Sequence, residues 1–340
     1  MFDLSNFVDL PIIWGLLIAT AVLLYVLLDG FDLGVGILFP FAPTEKCRDR
    51  MMNSIAPFWD SNETWLVLGG GGLFVAFPLA YSILLPAFYM PIIMMLLGLI
   101  MRGVAFEFRF KSDVGYRRFW DYVLHFGSLG AAFCQGIILG SFVQGITVAG
   151  RSFAGGPFDW ATGFSMLAGM GVVFGYALLG ATWLVMKTTD ITQDWARSVG
   201  SYVLGFVAIF MALVGICFPF LNDFIDRFWF DNSNVFILMF IPFTLSNLFI
   251  KLWFDLHDPK RECRPFFIAS SIFICGYISL ILSIFPWIVP FHYTIWDAAA
   301  SKPGLSLVLV GVAITLPLTL VYIGYCYYVF KGKVSHDHTY

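Results

Sequence analysis

"PIIWGLLIATAVLLYVLLDGFDLGVGIL", residues 11–38, carries no charge until Asp29 and Asp32. A helix crosses the hydrocarbon core with roughly 20 mainly apolar residues. The stretch therefore reads as a membrane helix with two carboxylates near its end. The rest of the chain has the same character: 59% of its 340 residues are hydrophobic and 12% are charged, against about 25% charged in soluble domains. Helices satisfy their own backbone hydrogen bonds in lipid. The every-second-residue alternation of a membrane barrel strand is absent. The fold class is all-α, a polytopic membrane protein.

Runs between charge and turn clusters predict nine spans, near 10–36, 57–79, 82–104, 119–146, 161–186, 198–220, 235–254, 265–289 and 304–330. The start, "MFDLSNFVDL", has no Lys or Arg and so lacks the basic region of a cleaved signal peptide. The first span is expected to be retained. Of the 19 Lys and Arg residues, all but Arg151, Arg227 and Lys302 fall towards one side of this nine-span scheme. Cytoplasmic loops are enriched in basic residues. The expected topology is therefore N-terminus outside and C-terminus cytoplasmic.

The net charge of −3 and the lack of a long basic stretch argue against a nucleic-acid partner. The 6 cysteines form no CxxC pair, and two of them, Cys47 and Cys263, fall in the expected cytoplasmic loops, where thiols stay reduced. No disulfide is expected. The histidine-containing tail "HDHTY" reads as solvated chain.

The two aspartates acquire company when the second span is added. "PFWDSNETW", residues 57–65, puts Asp60 and Glu63 near its start. Antiparallel neighbours would bring all four acids to one depth, and residues three apart share a helical face. Arg102 in "GLIMRGVAFEFR" reaches the same depth as a cationic partner, with Glu107 a little beyond. Ionisable groups inside a bilayer cost at least about 2.5–3.5 kcal/mol each at mid-depth and are functional candidates by default. The plain structural reading is a salt bridge of Asp32 with Arg102 capping the helix ends. Four acids against one arginine leave negative charge over, which suits proton exchange.

"GGGG", residues 69–72, and Gly34 and Gly36 read as close helix packing rather than as hinges. No phosphate-binding loop is present. Of the five histidines only His125 lies well within a span, so paired-histidine haem ligation within this chain is not expected.

Four strings carry a resemblance: "LLDGFDLGVGIL", "MMNSIAPFWDSNETWLVLGGGGLFVAFPLAY", "GLIMRGVAFEFR" and "TIWDAAAS". In this order they resemble subunit II of the cytochrome bd-type quinol oxidases, most densely over residues 27–110. The resemblance implies a bacterial plasma (inner) membrane enzyme that oxidises quinol and reduces dioxygen to water. It implies nine helices, read as two four-helix bundles plus one peripheral helix in a single membrane domain, 1–340. Residues 1–146 form the carboxylate-bearing first bundle, and 161–330 the second bundle and terminal helix. Haem b and haem d are expected on a haem-bearing subunit I, the partner of this chain, with no complete active site here. A small accessory subunit and a structural quinone are further candidates; the segment 221–234 is short against some members. Proton delivery from the cytoplasm would run through Asp60, Glu63, Asp29 and Asp32. Arg102 and Glu107 would be the charge partners and Trp59 a positioning residue. Some relatives have glutamine where Glu63 stands, which gives Asp60 the larger role. The competing readings are a proton-coupled transporter and a purely structural membrane anchor. The transporter would show a balanced inverted repeat, whereas acids and glycine runs crowd the first 110 residues here.

Overall fold

The computed structural model describes residues 9–230 and 235–334. In chain order the helices are α1 (Leu10–Leu38), α2 (Glu45–Ile55), α3 (Trp59–Ala76), α4 (Pro78–Ala87), α5 (Tyr89–Lys111) and α6 (Val114–Gln144). After a small hairpin, β1 (Val148–Ala149) and β2 (Ser152–Phe153), come α7 (Gly163–Lys187), α8 (Asp190–Cys217), α9 (Asp223–Phe230), α10 (Val235–His257) and α11 (Arg264–Ile284). A second hairpin, β3 (Trp287–Val289) and β4 (Tyr293–Thr294), leads into α12 (Lys302–Val329). Among the described residues 7 helices are long and apolar enough to cross a membrane: α1, α5, α6, α7, α8, α11 and α12. This is an integral membrane protein.

Local chemistry sets the ends. Asp9 caps α1 by accepting from the Ile12 amide, and Pro11 occupies its first turn, where no amide hydrogen is needed. Thr44 caps α2 in the same way, and a reciprocal Thr162–Ser165 capping box starts α7. The expected third span, 82–104, is corrected. Pro78 disfavours helical backbone at Phe77, which ends α3 there. A separate short helix, α4, then fills 78–87 and α5 begins only at Tyr89. Arg102 consequently lies well inside α5 instead of at its end.

The core is built around α1, which touches α3, α6 and α7. A Cβ on Gly34 would stand 1.8 Å from the carbonyl oxygen of Tyr176, and one on Gly180 would stand 2.4 Å from Gly34 itself. The α1 and α7 backbones meet at these glycines. A side chain at Gly36 would collide with Ser128 of α6. The glycine run in α3 is continuous helix: Gly72 faces Ile18 of α1, while Gly70 and Gly71 face away from the chain. "TIWDAAAS" has a structural part. Trp296 donates to Asp9 at 2.8 Å, Asp297 accepts from the amide and hydroxyl of Thr294, and Ala300 donates to the Ala76 carbonyl. The starts of α1 and α12 and the end of α3 are thereby tied together.

Candidate functional site

Asp29 and Asp32 sit on one face of α1 and are 0% and 1% exposed. Arg102, 3% exposed, enters from α5 and donates through Nη1 to Asp29 Oδ1 at 2.5 Å. Its Nη2 lies 3.5 Å from Glu63 Oε2 of α3. The expected pair of Asp32 with Arg102 is therefore corrected to Asp29 with Arg102. The reason is the longer α5: Arg102 and Asp29 are equally far from the ends of their helices, so they share a depth that Asp32, a turn later, does not.

Asp32 is held instead by a neutral group. Asn62 Nδ2 of α3 donates to Asp32 Oδ2 at 2.7 Å and to the Leu28 carbonyl at 3.2 Å, and Asn62 Oδ1 accepts from the Tyr327 hydroxyl of α12 at 3.0 Å. The start of α3 thus meets the end of α1, as antiparallel neighbours must. Four buried atoms of this cluster, Asp29 Oδ2, Asp32 Oδ1 and Arg102 Nε and Nη2, are without a hydrogen-bond partner. A buried polar atom left unpaired costs about 1–3 kcal/mol, more when charged, so such a cluster marks a place where something besides packing is served.

The other expected members divide. Glu63 is at the edge, its side chain 29% exposed. Asp60 is exposed on α3 and does not share the seam with Asp29 and Asp32. Asn62 is two residues on, about 200° round the helix, and occupies the inward place. Trp59 is half-buried, with its ring 5.3 Å from that of Phe106 and against Gly103. Glu107 does not join the cluster: it is exposed and pairs with Lys111 one turn later, at 3.2 Å. Sequence reasoning missed Asn62 and Tyr327, although an amide in a membrane span is itself a sign of an interhelical hydrogen bond.

A sequence model of the cytochrome bd terminal oxidase subunit II family matches residues 10–330. The chain belongs to that family. It is 28% identical over 333 residues to cytochrome bd ubiquinol oxidase subunit 2 of Bacillus subtilis, covering 95% of this chain and 96% of that one. It is 27% identical over 364 residues to cytochrome bd-I ubiquinol oxidase subunit 2 of Escherichia coli, covering 96% of each. A probable cytochrome oxidase subunit 2 of Haemophilus influenzae is 27% identical over 361 residues, covering 96% of this chain and 95% of that one. The fold is similar to that of a chain in the bd oxidase from Geobacillus thermodenitrificans, with a TM-score of 0.70, 15% identity, and coverage of 94% of this chain and 97% of that one.

Such oxidases use haem, for which histidine is a common ligand. His125 Nδ1 is 2.8 Å from the Ile37 carbonyl, and its ring lies edge-on to Phe41 and Phe126. His257 bonds to the Trp253 carbonyl at the end of α10, and His292 to the Pro290 carbonyl in the second hairpin. Among the described residues no second histidine faces His125. Among the described residues, the histidines do not fit a haem held between two of them.

Proposed function

We propose that this chain is the proton-uptake subunit of a quinol oxidase, paired with a haem-bearing subunit I that holds haem b and haem d. The haems of the partner pass electrons from quinol to dioxygen. This chain brings protons from the cytoplasm, with its N-terminus outside and its C-terminus inside a bacterial plasma membrane. The observation that carries the reading is the excess of acid around Arg102, which opens at Asp60 on the α3 surface. The order of entry is Asp60, Glu63, then Asp29, with Asp32 beside it.

The same face of α3 suggests where the partner sits. Val67 and Phe74 are exposed on it, and Gly70 and Gly71 leave open space. Small residues let a neighbouring helix approach closely in lipid, and an exposed carboxylate in an apolar helix is better covered by protein than by acyl chains. A purely structural anchor would have no use for uncompensated acids. Moving one charge through 100 mV is worth about 2.3 kcal/mol, so drawing the protons for water formation from inside conserves energy.

Asp60→Asn keeps size and polarity and removes the titratable proton. The assembled complex should keep its haem spectrum while oxygen reduction and the electrometric signal of proton uptake fall. Glu63→Gln should be milder. Normal turnover and charge movement in the Asp60→Asn, Glu63→Gln double variant would end the proposal.

A further inference from the structure

A second line of polar side chains, separate from Arg102, leads towards Asp29. Tyr176 of α7 donates its hydroxyl to Gln135 Oε1 of α6 at 2.7 Å, and Gln135 Nε2 donates to the Tyr25 hydroxyl of α1, also at 2.7 Å. Tyr25 and Tyr176 are 4% and 1% exposed. Tyr25 stands one turn before Asp29 on the same face. Asp29 Oδ2, the oxygen that Arg102 does not take, is buried with no partner.

A carboxamide donates only through its nitrogen and accepts only at its oxygen. With Tyr176 on the amide oxygen, the amide nitrogen faces Tyr25 and the Tyr25 oxygen is an acceptor. Its hydroxyl hydrogen must then go elsewhere. Reversing the amide would draw that hydrogen onto Gln135 and away from Asp29. Gly30 belongs to the same arrangement: a Cβ there would lie 2.9 Å from Tyr176 Cε1 and push the ring off Gln135.

We infer that Tyr176, Gln135 and Tyr25 form a one-way donor line that leaves the Tyr25 hydroxyl hydrogen for the open Asp29 Oδ2 one turn away and so orients that carboxylate. They are positioning residues. An amide passes a proton along only by becoming its imidic tautomer, so the line braces Asp29 and does not conduct. Exchange at Asp29 is thereby confined to the Glu63 and Asp60 side. The effect on turnover rests on the proton-uptake reading, but the brace itself does not.

The test uses the assembled complex carrying isotope-labelled aspartate. Tyr25→Phe and Gln135→Met keep the volume and remove the polar group. The Asp29 carboxylate stretch in infrared difference spectra should shift in Tyr25→Phe and broaden in Gln135→Met, with unchanged haem content. The double variant should match Tyr25→Phe alone, because the line passes through Tyr25. Proton uptake in Tyr25→Phe should slow about fivefold, the equivalent of one ordinary hydrogen bond. An unmoved band in Tyr25→Phe, or a double variant that adds the two effects, overturns the inference. If Asp60→Asn leaves uptake normal while Tyr25→Phe moves the band, the brace stands and the entry reading falls. If Asp60→Asn slows uptake and the band stays, the reverse holds.

Discussion

Two buried arginines on α5, about two turns apart and therefore on one face, have opposite surroundings. Arg109, 1% exposed, donates through Nε to Asp121 at 2.6 Å and through Nη1 to Asp49 at 2.7 Å. Arg48 adds a contact to the other oxygen of Asp121 at 3.1 Å, and the Arg109 guanidinium lies 5.1 Å from the Phe39 ring centre. Two arginines meet two aspartates and the charge balances. Arg102 meets Asp29 and Glu63, with Asp32 held only by an amide and Asp60 exposed nearby. Equal burial has two outcomes: the balanced cluster ties α2, α5 and α6 together, and the unbalanced one leaves the excess of acid on which the proton-uptake proposal rests.

The largest expected effect lies at the balanced site. Arg109→Leu strands Asp49 and Asp121, and breaking a buried pair from one side costs about 3–5 kcal/mol. Yield and thermal stability of the complex should collapse; normal assembly would erase the distinction between the clusters. Arg102→Leu should fall at the lower end of the same range, because an acid that exchanges protons can take one up and shed its charge. Adding Asp29→Asn to Arg102→Leu should restore assembly without restoring turnover. Rescue by Asp32→Asn instead would move the ion pair back to Asp32.

The smallest effect is at the other end of the chain. Glu262 accepts from Lys333 at 2.6 Å and from Gln193 at 3.2 Å, and these bonds, Lys333 first, hold its carboxyl below the usual glutamate value. A depressed carboxylate lends stability above its unfolded pKa of about 4.3 and loses it as pH falls through the folded value. A spin label at Val334, whose amide bonds to the Lys187 carbonyl, should be held at neutral pH and released in acid below the glutamate range. In Glu262→Gln the label should be less held at neutral pH and show no acid step.

What could be read ahead of the structure followed from local rules. The start of α1 and the membrane class were both legible in the uncharged run that begins at Pro11. The break at Pro78 was legible in principle, since proline disfavours helix in the residue before it. Treating 57–79 as one span missed it, and the resulting shift of α5 misplaced Arg102 against Asp32. Asn62 has no formal charge to mark it in the sequence, yet its amide holds Asp32 with both ends satisfied.

The sequence by itself determined an all-α membrane protein, the run of acids near Arg102 and, through four strings of residues, membership of the subunit II family. Only the tertiary structure decided which acid meets Arg102, that Asp60 faces outward while Asn62 faces in, that Arg109 is buried and not a loop charge, and that Tyr25, Gln135 and Tyr176 line up. The physical reason is rotational phase. A soluble helix announces its inner face by a stripe of apolar residues, but a membrane helix is apolar all round, and each residue of boundary error turns a side chain by about 100°. Here that phase is set by contacts between distant segments, such as Gly34 against the backbone of Tyr176, and no single stretch of the chain contains both halves of such a contact.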